Sequence, residues 1–188
     1  PALTAPVDTT VIGKEAPTFF MGWRADAGNS LQMDTLEIVA QLLSNGQAGL
    51  FDLDLSQKLK VQEIEAGVTD MNDYSVFYVY GQPKSGQTLQ EVRSLALSEI
   101  EKLKKGEFSD DLLPSIINNY KRYYYTQLDN NQFRANQYVD AFINHKDWKQ
   151  EVDKLNRISK LTKAELVRFA NHFFGNNFAC VYKEQGND

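Results

Sequence analysis

Histidine and cysteine, the residue types that most often bind transition metals, occur only as His145, His172 and Cys180. A helical zinc site needs two histidines about one turn apart with a nearby carboxylate, and thiolate sites need paired cysteines. The sequence contains no HxxEH, HxxH or CxxC pattern. We therefore predict no catalytic residue, no metal ligand and no cofactor site within this chain.

Each of the three side chains also has a structural explanation. His145 follows a predicted helix end, where histidine is commonly a surface or capping residue. His172 lies off the apolar stripe of its predicted helix, which favours a polar, solvent-facing position. Cys180 lies within the apolar run 178–182, so we expect a buried strand residue, and it has no partner for an internal disulfide bond.

Three further stretches carry suggestive residues. Asp110 and Asp111 could form an acid–base pair, but a helix N-terminus attracts carboxylates without any chemistry. The run Tyr120–Tyr125 is either a helix with Tyr120 and Tyr124 buried, or an aromatic and basic surface for a partner. The loop 81–86 has two glycines without phosphate-loop spacing, which indicates a turn.

Composition narrows the classes of partner. The 188 residues, 42% of them hydrophobic, suit one domain with a real core, and the net charge of −5 argues against nucleic-acid binding. The basic stretch 102–105 lies among glutamates and indicates a solvated helix end. No apolar run approaches the ~18 residues of a membrane span, and no signal peptide is visible. The initial proline suggests a piece of a longer or processed protein.

Periodicity predicts alternating strands and helices. Residues 1–16 are predicted to be a linker or edge segment, followed by a single domain over 17–188. Thr88 and Thr162 each begin a capping box, in which the threonine and a glutamate three residues later satisfy free helix amides. The predicted strands are 18–24, 63–68, 74–80 and 177–183, and the predicted helices are 31–44, 49–58, 88–105, 110–128, 131–144, 148–158 and 163–174.

This order predicts the α+β class. A mostly antiparallel sheet of four or more strands, in the split βαβ (βαββαβ) plan, should have helices on one face and extra helices before the last strand. Strand 74–80 is apolar on both faces, so either both are covered or the second contacts a partner. Helix 131–144 is predicted to bury the stripe Ala135, Tyr138, Val139 and Phe142.

Several segments together resemble the non-catalytic, carboxy-terminal type of domain in the insulinase/pitrilysin (M16) family of zinc peptidases. Their order and spacing carry the resemblance over about residues 17–183. The segments are Phe20–Arg24, Leu36–Gly46, Gly49–Leu55, Glu99–Ser109 and Leu161–Leu166.

The resemblance implies a fragment of a larger multidomain chain. Related domains form two halves around a chamber, and one domain carries HxxEH and binds zinc. Active relatives also carry an arginine and a tyrosine, seven residues apart, that steady the substrate backbone. The corresponding positions here are Ser56 and Glu63, which supply neither a cation nor a phenol. The domain therefore resembles either the accessory domain of the first half or part of a degenerate half.

Three functions follow as hypotheses. The first is a non-catalytic domain of a zinc metallopeptidase that packs on sibling domains and helps to enclose peptide substrate, with zinc bound in a sibling. The second is a degenerate structural or assembly domain without a peptidase role. The third is an unrelated ferredoxin-like binding domain. For the compartment, the expectation is the bacterial periplasm.

Overall fold

The computed structural model describes residues 3–186. Within them, a π-helical turn, Asp52–Ser56, lies between the first helix and the third strand. The strands are β1 (Val7–Gly13), β2 (Thr18–Ala25), β3 (Glu63–Thr69), β4 (Ser75–Gln82) and β5 (Phe178–Gln185). The helices are α1 (Gln32–Leu43), α2 (Leu89–Lys105), α3 (Leu112–Leu128), α4 (Asn131–Ile143), α5 (Trp148–Ser159) and α6 (Lys163–Phe173).

The five strands form one mixed sheet in the order β1-β5-β2-β4-β3. Only the β1–β5 pair is parallel, and the other three pairs are antiparallel. Four helices, α3 to α6, precede the last strand. The predicted α+β class with a mostly antiparallel sheet is therefore confirmed.

Helices cover one face of this sheet. Along β2, Phe19, Met21 and Trp23 are buried. Phe20 and Arg24, on the opposite side of the strand, are exposed. Strand β4 alternates in the same way, with Phe77 and Val79 on the buried side. The core therefore lies between this covered face and the helices, as expected for a sheet packed on one side.

Strand β1 lies in the segment 1–16, which was predicted to be a linker or an edge. It pairs along its whole length with β5, and almost every side chain in it is exposed. Arg93 of α2 anchors it, because its guanidinium lies 2.7 Å from the Asp8 carboxylate and also donates to the Tyr182 hydroxyl. A strand exposed on both faces has no alternating apolar pattern, so the sequence carries no sign of it.

The sequence signals for the ends of α2 and α6 are confirmed. Both predicted capping boxes, Thr88 with Glu91 and Thr162 with Glu165, are present. Gly106 ends α2 in the left-handed conformation, with φ of 72°. These helices begin and end where short-range sequence chemistry places them.

The predicted helix 49–58 is instead largely the π-helical turn. The Asp52 carboxylate accepts backbone hydrogen bonds from Asn45, Gln47 and Gly49. Those bonds stabilise the loop after α1 and place Asp52 in a buried position. Hydrogen bonding between a side chain and nearby backbone groups is not visible in apolar periodicity.

The prediction for α4 was wrong. Its apolar stripe, Ala135, Tyr138, Val139 and Phe142, faces solvent, and Phe142 is 83% exposed. Only Ala141 of this helix is buried. The helix therefore packs on α3 and α5 through the opposite, more polar side, because its neighbours contact that side instead.

Candidate interaction surface

The residues singled out for chemistry do not come together. His145 lies just beyond α4 with a positive φ of 52°, and His172 lies on α6; both are exposed. Cys180 is fully buried in β5, as predicted, and burial raises the pKa of its thiol. No group of three or more histidine, cysteine, aspartate or glutamate side chains within residues 3–186 could hold a metal ion.

The adjacent carboxylates at 110 and 111 take separate structural roles. Asp110 lies 2.7 Å from Lys163 Nζ, and this contact lowers the pKa of Asp110 through a hydrogen bond and charge attraction. Asp111 occupies the N-cap position of α3 without a side-chain cap bond. They form no shared acid–base site.

The run 120–125 had two interpretations, a buried helix face and an exposed aromatic surface, and each applies to part of it. Tyr120 packs against the core, and Lys154 Nζ lies 5.9 Å from the centre of its ring. Tyr123 and Tyr125 point into solvent. Of the predicted turn 81–86, Gly81 and Gln82 belong to β4, and residues 83–86 form the loop, with Gly86 at a positive φ of 79°.

The uncovered side of the sheet is the most unusual surface of the molecule. We call it the open sheet face and define it by the outward side chains of the central strands. Phe20 is 45% exposed and Val181 is 40% exposed, and the two lie side by side in register. The open sheet face comprises Val7 and Thr9 of β1, Ala179 and Val181 of β5, Phe20 and Gly22 of β2, and Val76 and Tyr78 of β4.

A groove of about 630 Å³ runs along this face. Phe20 stacks on Tyr78 with ring centroids 5.1 Å apart and forms one wall. Gly22 and Ala179 are register partners and line the groove with almost no side chain. Two large rings beside two minimal side chains make a trough rather than a flat surface.

Charged groups lie at the margins of the open sheet face. The Arg24 guanidinium sits over the Tyr74 ring, 4.7 Å from its centre, at one end of the groove. Glu65 lies on β3 beside the Tyr80 position. Burial and the nearby Glu65 charge raise the pKa of the Tyr78 phenol above its ordinary value.

The outer edge of β3 adds a second binding feature. Within the described range, β3 pairs only with β4 and forms the end of the sheet. Its outer backbone groups can therefore pair with an extended segment, as edge strands do. Together, the apolar trough and the unpaired edge suit an apolar or extended polypeptide partner.

The positions assigned to the family's substrate-steadying pair lie close to this edge. Ser56 ends the π-helical turn, and Glu63 is the first residue of β3. One is partly buried and the other exposed. Neither side chain provides the positive charge that would hold a substrate backbone carbonyl.

The family model described as "Peptidase M16 inactive domain" matches residues 2–120. That match covers more than half of the chain, so the chain belongs to the inactive-domain family of the M16 peptidases. The predicted family is thus confirmed.

Solved structures share the fold over nearly the whole chain. A protease from Helicobacter pylori is 20% identical with a TM-score of 0.91, covering 98% of this chain and 45% of that one. An M16 inactive domain from Pseudomonas fluorescens is 11% identical with a TM-score of 0.82, covering 100% of this chain and 45% of that one.

The first half of the periplasmic protease PqqL from Escherichia coli is 9% identical with a TM-score of 0.75, covering 98% of this chain and 43% of that one. The chain thus spans less than half the length of these three structures. No curated protein matches the sequence. No helix within residues 3–186 has the length and apolar character to cross a membrane.

The main functional feature missed by sequence reasoning is the open sheet face. One signal was present, because strand 74–80 is apolar on both faces and one interpretation gave its second face to a partner. The structure leaves that second face, including Val76 and Tyr78, without a helix layer. The choice between the two interpretations required knowing where the helices pack.

Proposed function

We propose that this chain is a non-catalytic domain of an insulinase-type zinc metallopeptidase, which helps to enclose and position peptide substrate for a zinc site in a sibling domain. The observation that carries the proposal is the open sheet face: a large apolar surface left uncovered in a domain of this family. Contiguous exposed apolar side chains on a soluble domain often mark a binding site, so this face suits a partner.

The partners are sibling domains of the same parent chain and a peptide substrate. The trough between Phe20 and Val181 suits apolar side chains, and the free edge of β3 suits an extended backbone. The net charge of −5 disfavours nucleic acid as a partner. Hydrolysis itself, by a zinc-bound water, belongs to the sibling domain.

The proposed domain boundary lies between residues 16 and 17. The domain of the larger protein spans residues 17–188, and residues 1–16 are its edge segment, in which β1 pairs with β5 at the edge of the same sheet. The periplasm is the proposed compartment, supported by the likeness in fold to a periplasmic protease.

Zinc content and peptide cleavage, measured on the isolated chain and on the full parent protein, test this function. The isolated chain should contain no stoichiometric zinc by metal analysis and should cleave no unfolded peptide. The full parent protein should contain zinc and cleave the same peptide. Phe20→Asp in the parent should reduce cleavage without changing the zinc content, because it places a charge on the proposed wall.

A control in the parent separates this effect from general damage. Leu59→Asp changes an exposed loop residue outside the open sheet face and should leave cleavage unchanged. Tightly bound zinc in the isolated chain would contradict the proposal, as would full cleavage by the Phe20→Asp parent.

A degenerate structural or assembly domain is the second candidate. Ser56 and Glu63, at the positions of the arginine–tyrosine pair, favour it. A parent protein that binds no zinc and cleaves nothing, yet depends on this domain for its assembly, would select this alternative.

A further inference from the structure

A second groove lies on the helix side of the sheet, between the end of α1 and the middle of α3. Its volume is about 440 Å³, within the ~300–1,000 Å³ usual for binding pockets. Because helices of the covered face form it, the groove is separate from the open sheet face. We call it the α1–α3 groove. Its polar lining comprises Gln41, Asn45 and Gln47 from α1 and the loop after it, and Asn119, Arg122 and Tyr123 from α3.

Neutral amides make up much of this lining. The side chains of Gln41, Gln47 and Asn119 are exposed, and each amide can both donate and accept hydrogen bonds. Within residues 3–186, no acidic residue lines the groove. Donors and acceptors of this kind match the N–H and C=O groups along an extended peptide backbone.

Arg122 is the charged residue of the groove, and its guanidinium has no partner. In the part of the chain that the structure describes, it makes no ion pair, hydrogen bond or cation–π contact. By contrast, the guanidinium groups of Arg93 and Arg157 each lie 2.7 Å from a carboxylate. A planar guanidinium can bind a carboxylate through two parallel hydrogen bonds, so Arg122 is available to an acidic ligand.

The carboxylates of the chain near this groove are already bound. Glu37 lies one turn before Gln41 on α1, and its carboxylate is 2.8 Å from Lys154 Nζ. The Asp52 carboxylate is buried and accepts backbone N–H groups of the loop after α1. Neither carboxylate is free to pair with Arg122, so the positive charge in the groove remains for a ligand.

The loop wall of the groove is held in place by its own hydrogen bonds. Asn45 Oδ1 accepts the backbone N–H groups of Gln47 and Ala48 at 3.0 and 2.9 Å. Asn45 Nδ2 donates to the Gln41 carbonyl at 3.0 Å, and Gln57 Nε2 donates to the Gln47 carbonyl at 2.8 Å. A wall that is ordered before binding lowers the entropy cost of holding a ligand.

We propose that the α1–α3 groove binds an extended peptide segment, whose acidic side chain pairs with Arg122 and whose backbone bonds to the amides of Gln41 and Asn119. This site gives a ligand to the exposed part of the run 120–125, where the sequence allowed an aromatic and basic surface. It goes beyond the proposed function, because the groove is not part of the open sheet face and binding there needs no cleavage.

Titration of the ¹⁵N-labelled chain with a peptide, followed by NMR, tests the site. The probe is the pentapeptide Ala-Leu-Glu-Leu-Ala, blocked at both ends so that the glutamate carries the only charge. Its counterpart has glutamine in place of glutamate. We expect the glutamate peptide to shift the side-chain amide signals of Gln41 and Asn119 and to bind about three- to tenfold more tightly than the glutamine peptide.

Three variants separate the parts of the site. Arg122→Gln should bind the two peptides equally, because the partner of the carboxylate is gone. Arg168→Gln makes the same change of charge at an exposed arginine of α6, outside the groove, and should keep the preference. Asn119→Ala should weaken both peptides to the same extent. Because these side chains are exposed, circular dichroism should show that the variants remain folded.

Four results would overturn the proposal. The first is no shift at these amides with the glutamate peptide up to about 5 mM, and the second is a preference that survives in Arg122→Gln. The third is an equal loss of preference in Arg168→Gln, which would indicate a general charge effect. The fourth is acetate that binds as tightly as the peptide, which would indicate a simple anion site. Neither zinc nor cleavage enters these measurements, so this site can fail while the proposed function stands.

Discussion

The two faces of the sheet have similar chemistry and opposite surroundings. On the covered face, Trp23 is 1% exposed and packs against Phe77, Phe174 and Phe178. On the open face, Phe20 is 45% exposed and contacts one ring, that of Tyr78, by stacking. Aromatic content alone therefore does not distinguish the core of this domain from its contact surface.

The two faces differ in whether their apolar side chains stabilise the fold or remain available for binding. The covered face is closed by helices of the same chain, so its side chains hold the fold together. The open face keeps apolar side chains that this chain leaves exposed, which costs solubility without stabilising the isolated domain. Substitutions at matched positions on the two faces should therefore differ in their effect on unfolding.

The largest expected difference is between Trp23→Ala and Phe20→Ala. Trp23→Ala removes three ring contacts and a 3.0 Å hydrogen bond from Nε1 to the Gly175 carbonyl. It should lower the free energy of unfolding by about 3–5 kcal/mol, as for buried aromatic residues. Phe20→Ala should cost less than about 1.5 kcal/mol, since Phe20 is 45% exposed and loses less apolar burial than Trp23.

Urea unfolding followed by circular dichroism measures both values. Equal losses from the two variants would show that the open face contributes to the fold as much as the covered face, and the comparison would fail.

Two glycines form a second matched pair. A Cβ at Gly81 would lie 2.5 Å from Phe19 Cε1, inside the packed core. A Cβ at Gly67 would lie 2.5 Å from the Tyr78 hydroxyl, the far end of a side chain on the open face. Gly81→Ala should cost about 1–3 kcal/mol through overpacking, and Gly67→Ala less than about 1 kcal/mol, because Tyr78 can move.

Thermal and urea unfolding of the two alanine variants give the comparison. A larger loss for Gly67→Ala would mean that Tyr78 is held in place more firmly than a partly exposed ring should be.

Strand β1 tests a third situation, a strand without a helix layer on either face. Asp8→Asn removes its ion pair with Arg93, in which the Asp8 side chain is 48% exposed. Global stability should change little, because exposed ion pairs are weak, but β1 amides should exchange about two- to fivefold faster. Glu15→Gln breaks a more exposed ion pair with Lys183, in which the Glu15 side chain is 86% exposed; it is the control and should leave β1 exchange unchanged.

Hydrogen exchange read by mass spectrometry or NMR reports both variants. Unchanged exchange in Asp8→Asn would mean that backbone pairing with β5 alone holds this edge.

The smallest expected effect is a pH dependence from Glu99, a carboxylate buried under the helix layer. Burial raises its pKa despite Lys102 Nζ at 3.0 Å. The folded state therefore keeps this proton to a higher pH than the unfolded chain, whose pKa is near the reference 4.5. Stability from this group is full at low pH and falls as pH rises above about 4.5.

Glu99→Gln removes that contribution, so the melting temperature of the variant relative to the native chain should rise between pH 4 and pH 7. A relative melting temperature that falls over this range would show that the ion pair with Lys102 outweighs burial.

Much of the fold was predictable because its signals are local or periodic. The capping threonines, the glycine after α2 and the alternation in β2 place their elements from a few neighbouring residues. The features that failed are those set by tertiary contacts. The apolar stripe of α4, Ala135, Tyr138, Val139 and Phe142, has the spacing of a buried helix face. The sequence of 131–143 does not indicate which side of α4 the neighbouring helices will contact.

The candidate surface was only half predictable for the same reason. The apolar residues on both faces of 74–80 indicated either a partner or a second helix layer. The choice between the two depends on where the helices pack. The missing chemistry was easier to predict, because a helical zinc site needs particular residues at fixed spacing and the sequence lacks them.

Strand β5 is last in the chain but lies between β1 and β2 in the sheet. Until residues 178–185 have been synthesised, β1 has no neighbour to bind and β2 has only one. Pairing of β1 with the sheet therefore depends on a contact between segments far apart in sequence, which forms slowly compared with local structure. Loss of this one strand should leave β1 unattached and the remaining sheet with three strands.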